Sequence, residues 1–383
     1  MGPRTTTRQA IPPESLTLKS IRDAIPKHYF EPNAALSIYY ICRDLFQMVV
    51  TFAIMFYYGM PFVDKQMETL GADNYFLALG LKFAVWNVYW YVQGLNCTGL
   101  WVMAHECGHR ACSSSKMVND CLGMVIHSIL LVPYHSWRIT HGTHHKYTNH
   151  VDQDTVFVPE KVSAQSAAIR EALSETPIAS WVNIIKMWTL GWPMHLFFNY
   201  TGQQHNRRAN HFEPSSPLFR PSEGGVVLLS DLGLMAVLGL AYALVHKGLI
   251  TPYDILIWYF VPYLWANSWL VTITYLHHTD LRVPHYNADN WNFVRGALAC
   301  VDRDYGVIRN WMFHYINNSH VIHHLFSAMP FFHAIEVTDK YLPKAVPEEM
   351  HITDDRSVLS MCFESWRECR YIVPSEGISW FRK

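Results

Sequence analysis

Charge is scarce in this chain: Lys, Arg, Asp and Glu make up 16% of its 383 residues, and the formal net charge is -1. Phosphate binding calls for a basic surplus gathered on one face, so no nucleic-acid partner is expected. The eight cysteines, Cys97, Cys107, Cys112 and Cys121 among them, form no CxxC pair and are too sparse for a disulfide scaffold. Reduced thiols are expected. The segment from Met1 to Pro26 is polar, with scattered Arg and Lys and no apolar signal core, which argues against a cleaved secretory peptide. Internal repeats, low-complexity tracts, a dinucleotide fingerprint after a strand and an HPGG haem motif are all missing. Neither a repeat architecture nor a fused haem domain is therefore expected.

What the chain has instead is apolar sequence, with 50% hydrophobic and 14% aromatic residues. Leu45 to Phe62 is about as long as the ~20 apolar residues that cross a bilayer. Tyr75 to Met103 is a second run, interrupted by Lys82, Asn87 and Gln93. Val226 to Val245 and Asp254 to Leu276 form a second pair with a short connection. Cys121 to Tyr134 is short for a crossing and, like Trp181 to Tyr200, suits an interfacial or re-entrant helix.

These runs predict an all-α, integral-membrane helical bundle. Four transmembrane helices in two hairpins, about 45–62, 76–98, 226–245 and 254–276, would join interfacial helices and a cytosolic helical cap from 105–225 and 277–383. Residues 1–44 would form an N-terminal cytosolic segment, and 45–383 a single membrane domain. Arg and Lys recur in the N-terminal segment, between His105 and Arg220, and in the tail, whereas the hairpin loops are poor in them. By the positive-inside tendency the cap faces the cytosol.

Three histidine clusters flank the apolar runs: His105 and His109 in HECGH, His141, His144 and His145 in HGTHH, and His320, His323 and His324 in HVIHH. Residues three and four apart share one helix face, so each cluster aims its imidazoles at one point. One zinc takes three or four ligands, and imidazole also suits iron, so eight imidazoles fit a pair of irons better than one ion. Taken alone, HECGH also matches the HExxH of a zinc protease with Glu106 as general base. Two further complete boxes are more than such a site needs. Histidines lining an ion path are another reading, but ligands of a transporter should lie at mid-bilayer depth, and these flank the runs. Ferrous iron with an open position can reduce dioxygen to an oxidant able to take hydrogen from an unactivated C–H bond. Beside a membrane, lipid chains are the candidate substrate, and two electrons must come from an external donor.

With these residues in place, the sequence resembles the integral-membrane fatty-acid desaturases through all three boxes in order and the two hairpins between them. It looks closest to the acyl-lipid oleate (delta-12) branch through HECGH, LVPYHSWRITHGTHH at 131–145, VFVP at 156–159, TYLHHTD at 274–280, RGALACVDRDYG at 295–306 and HVIHHLFSAMPFFHA at 320–334. The resemblance implies a ninth nitrogen ligand at His278, two iron ions, O2 as co-substrate, a fatty-acyl phospholipid substrate, and cytochrome b5 and its reductase as electron donors. It also implies residence in the endoplasmic reticulum membrane. His277 stands where many oleate desaturases have Gln; it is open to a ligand, a hydrogen-bonding or a solvated role.

A ligating imidazole usually donates its other N–H to a carboxylate or carbonyl. Glu106, Asp152, Asp154, Asp302 and Asp304 are candidates for that support, and His135 in PYHSWR is another, with Arg and Trp beside it. Trp101, Met103 and Trp137 are either tunnel lining or core. Arg110 and Cys112 after the first box, and Asn318 before the third, depart from the family's usual pattern without removing a ligand. Relatives with the same ligand set perform omega-3 desaturation or 12-hydroxylation, so the reaction class is firmer than the position attacked.

Overall fold

The computed structural model describes residues 7–382 apart from 164, 168, 170–174 and 376. Residues 1–6 of the expected N-terminal segment lie outside the described residues. Asn33 opens the first long helix by accepting the Leu36 N–H with its side chain (3.0 Å), and the helix runs from Ala34 to Leu70. It contains a π-helical stretch, Met55–Gly59, immediately before Pro61. Proline has no N–H and its ring presses on the carbonyl four residues back, so a widened turn lets the helix continue. The same device recurs at Leu256–Phe260 before Pro262, in the helix spanning 252–278.

Helix Tyr75–Gly108 is the spine of the molecule, packing against Ala34–Leu70 on one side and against 252–278 on the other. At 34 residues it is about 51 Å long. Its first half carries exposed Phe76, Leu77, Phe83 and Val88, whereas 93–107 are buried throughout. Glycine makes the close packing possible: a Cβ at Gly94 would fall 2.3 Å from the Trp265 Cβ, and one at Gly99 would fall 2.5 Å from the Met312 carbonyl oxygen.

Ala34–Leu70 and Pro221–His246 are long and apolar enough to cross a membrane, and both are mostly exposed along their apolar windows. Phe46, Val49, Tyr57, Tyr58, Leu232, Met235 and Leu240 face outward, an apolar surface far larger than water tolerates on a soluble protein. Helices Lys116–Ile129 and Tyr134–Tyr147 meet at 108° and qualify together only as one bent span. The corner is set by Leu131, at φ 53°, and by the Val132 N–H returning to the His127 carbonyl (2.8 Å). The stretch 121–134, expected to be interfacial or re-entrant, runs up to this corner, and a bent pair of this kind is either a broken span or a re-entrant loop.

The chain is mostly helical, but the all-α expectation needs correction. Strands Pro284–Tyr286, Ile378–Arg382 and Tyr371–Ile372 form a three-stranded antiparallel sheet, and Val301–Arg303 pairs in parallel with Ile352–Asp354. These strands of two to five residues are too short to show an alternating pattern, and most of them are buried on both faces. The parallel pair holds a buried ion cluster. Arg303, with no exposed side chain, donates to Asp280 (2.9 Å), Asp354 (3.0 Å) and the Leu276 carbonyl (2.7 Å), while Arg282 bridges the same two carboxylates. It thereby ties the end of helix 252–278 to the parallel strand pair.

Candidate metal centre

Four structural elements converge on one buried volume. Helix Tyr75–Gly108 brings His105 in its last turn and His109 as its C-terminal cap. Helix Tyr134–Tyr147 brings His141, His144 and His145, helix 252–278 ends on His278, and the short helix His320–Leu325 carries His320, His323 and His324. The imidazoles sort into two groups with ligand atoms within 4.8 Å of one another: His105, His109, His141, His145 and His323, then His144, His278 and His324. His320 joins the second group, its Nε2 lying 3.1 Å from Nε2 of His278 and 3.0 Å from Nε2 of His324. All nine histidines are thus brought together.

Tautomers follow from the partners on the far side of the rings. Asp154 Oδ1 lies 2.6 Å from Nδ1 of His144, which therefore donates its proton outward and turns a bare Nε2 toward His278, 3.2 Å away. Thr148 donates its hydroxyl proton to the His144 carbonyl, leaving its oxygen to accept from Nδ1 of His324 (3.0 Å). Nε2 of His324 is left unprotonated as well. Nε2 atoms also face each other at 3.2 Å between His105 and His109 and at 3.1 Å between His141 and His145. Burial pushes His105 down to about 3 and lowers His109, His141, His145, His278, His320, His323 and His324 well below the ordinary histidine value. Neutral imidazoles with converging lone pairs repel one another unless cations lie between them. The donor set therefore fits two metal ions, and all-nitrogen ligation is compatible with iron.

Glu106 sits beneath this array. Its Oε1 is 3.3 Å from Nδ1 of His105 and 3.9 Å from Nδ1 of His323, while Oε2 accepts the Phe331 N–H (3.1 Å). Desolvation raises its carboxyl to about 8. Asp302 acts through the backbone, accepting the Val321 N–H (2.9 Å) at the start of the third-box helix and pairing with His351 Nε2 (2.7 Å).

The chain belongs to the fatty acid desaturase family. The family profile described as Fatty acid desaturase matches residues 83–355. The Delta(12) fatty acid desaturase of Mortierella isabellina is 40% identical over 382 residues, covering 96% of this chain and 90% of the relative. The Omega-6 fatty acid desaturase, endoplasmic reticulum isozyme 1, of Glycine max is 39% identical over 96% of this chain and 90% of its own length. An oleate hydroxylase of Claviceps purpurea is 36% identical over 96% of this chain and 79% of the relative.

Other candidates stand apart from the array. Asp152 is an exposed partner of Lys161, and Asp304 binds the Gly306 N–H and Asn310. His135 donates its backbone N–H to Ser230 Oγ (2.9 Å) and lies beside Arg138 (3.5 Å), and it makes no contact with a box histidine. His277 is fully buried, which removes the solvated alternative: its Nδ1 donates to the Val301 carbonyl (2.5 Å) and its ring stacks on His320 at 4.2 Å. It belongs to neither metal group. Thr148 and His351 escaped the sequence reading. Thr148 lies three residues past the second box, a spacing that signals contact on a helix, whereas His351 has no local signal.

A cavity of about 660 Å³ opens from the histidines. His105, His141, His144, His278 and His320 form one wall, and Trp101, Val102, Trp137, Leu270, Val271 and Ile273 supply apolar lining. Trp101 and Trp137 thus line the cavity; Met103, fully buried, belongs to the core. Ligand pockets of this size and polarity bury most of a bound apolar molecule.

Proposed function

We propose that this chain is a delta-12 fatty-acid desaturase, inserting a cis double bond into oleoyl chains esterified to phospholipid and giving linoleoyl chains. The observation that carries the reading is the contact between an apolar cavity and a wall of metal-ready imidazoles, in a chain related over nearly its whole length to Delta(12) desaturases. The balance is one CH2–CH2 unit, O2, two electrons and two protons going to one CH=CH unit and two waters. His105, His109, His141, His145 and His323 would hold one iron, and His144, His278, His320 and His324 the other. The bound pair supplies dioxygen reduction and the oxidant that removes hydrogen from the chain.

The protein's own residues supply position. Asp154 and Thr148 hold His144 and His324 with Nε2 inward. Val102, Leu270 and Ile273 keep water from the acyl chain and hold it in register, which converts remote binding into placement of one carbon pair. Trp137 stacks on His141 at 4.5 Å and closes the wall behind it. Electrons would come from cytochrome b5 and its reductase. The four long helices would cross the endoplasmic reticulum membrane as two hairpins, with the histidines at the cytosolic end.

Expression in a host that makes oleate but no linoleate, followed by gas chromatography of its lipids, tests this. New 18:2 is the expected product. The likeness to an oleate hydroxylase makes a 12-hydroxy product the second reading, and an omega-3 product would also redirect the assignment.

A further inference from the structure

The cavity reaches the surface along helix Pro177–Phe198, where Lys186, Leu190 and Tyr200 are both exposed and part of its lining. This 22-residue helix has one formal charge, Lys186. Around it the outer face is apolar and exposed, with Ile178, Val182, Ile185 and Leu190 between 45% and 79% accessible. Such a face belongs at a bilayer interface, where a lysine extends its stem along apolar surface and places its ammonium at headgroup level.

Among the described residues that line the cavity, Lys186 is the only Lys or Arg, and there is no Asp or Glu. Its Nζ has one weak contact, 3.5 Å from Asn183 Oδ1. The nearby Glu175 carboxylate is taken by other donors: Asn183 Nδ2, Ser180 Oγ (3.1 Å) and Trp366 Nε1 (3.0 Å). Among the described residues no carboxylate pairs with Lys186, and a cation so placed at the mouth of an apolar cavity is complementary to a molecule with one anionic group attached to a long hydrocarbon. We infer that Lys186, positioned by Asn183, binds the phosphodiester of a membrane phospholipid whose acyl chain enters the cavity. The inference rests on the proposed acyl-lipid reading and names the group that sets the chain's register.

The test reads binding without turnover, so it stands independently of the product formed. Purified enzyme in non-ionic maltoside detergent is titrated with brominated phosphatidylcholine or brominated diacylglycerol, and quenching of its tryptophans is followed. Lys186→Gln should weaken phospholipid binding about fivefold, the worth of one lysine facing an anionic membrane group. Lys186→Arg should regain most of it, and in turnover the loss should appear in KM and not in kcat. Unaltered phospholipid binding in Lys186→Gln, or an equal loss for diacylglycerol, would overturn the inference. Displacement of the phospholipid by millimolar inorganic phosphate would assign a free-anion site and overturn it too.

Discussion

Asp154 lies ten residues beyond His144 in sequence and 2.6 Å from its Nδ1 in space, with its second oxygen accepting the Asn149 N–H at 2.7 Å. The carboxylate fixes both the ring's tautomer and the turn that follows the second box. Loss of such an outer partner typically costs 10–100-fold in metal affinity or activity. Asp154→Ala should therefore lower activity by about that factor and reduce iron content, whereas Asp154→Asn, which keeps an acceptor, should lose less. Iron per protein, measured on purified variants beside linoleate production, checks this; full iron and full activity in Asp154→Ala would refute it.

How much of this was legible depends on sequence distance. The boxes announced themselves because their spacing is the helix's own, and Glu106 and Asp154 lie close enough to a box to be suspected. The apolar run Tyr75 to Met103, expected to hold a span at about 76–98, is part of one continuous helix, Tyr75–Gly108, that reaches the first box. Asp302 was suspected but its partner was not, because His351 is 49 residues away. Asp44 and His314, 2.6 Å apart, are separated by 270 positions and pin helix Ala34–Leu70 to the segment that precedes the third box. No local pattern encodes such a pair. The short strands failed for a related reason: two to five residues carry no period, and tertiary pairing alone decides their conformation.

Arg303 should be among the least replaceable residues away from the metal centre. Breaking a buried ion cluster by removing one member costs about 3–5 kcal/mol, because the remaining charges stay buried without compensation. Arg303→Met leaves Asp280 paired with Arg282 and Asp354 with Arg282 and Arg356, and releases the Leu276 carbonyl, two residues before His278. The variant should melt well below the wild type and carry less iron. A wild-type melting temperature would show that the cluster is dispensable.

His351 introduces a pH dependence of stability through its contact with Asp302. Burial works against its charged form, but the bond to Asp302 prevails and raises its pKa above the ordinary 6.5. A value raised by folding stabilises fully below pH 6.5, and the contribution is lost as pH rises through the folded value. The His351 contribution should therefore decline as pH rises above 6.5, opposite in sign to that of the buried box histidines, whose lowered values favour folding as pH rises. The melting-temperature gap between wild type and His351→Gln should accordingly narrow with rising pH. An identical slope in that variant would place the pH dependence elsewhere.

Glu106 separates two chemistries that share the HECGH sequence. In a zinc protease it would be the general base, and Glu106→Gln would abolish activity. Here its Oε2 accepts the Phe331 N–H and its Oε1 faces Nδ1 of His105 and His323. An amide oxygen can take over the Phe331 bond, so Glu106→Gln should keep the proposed metal pair and at least about a tenth of the activity, while Glu106→Ala should lose about 10–100-fold. Lipid gas chromatography and metal content of the two variants decide the matter. Complete loss of linoleate in Glu106→Gln with its iron intact would give the carboxylate a chemical role that its placement beneath the imidazoles does not suggest.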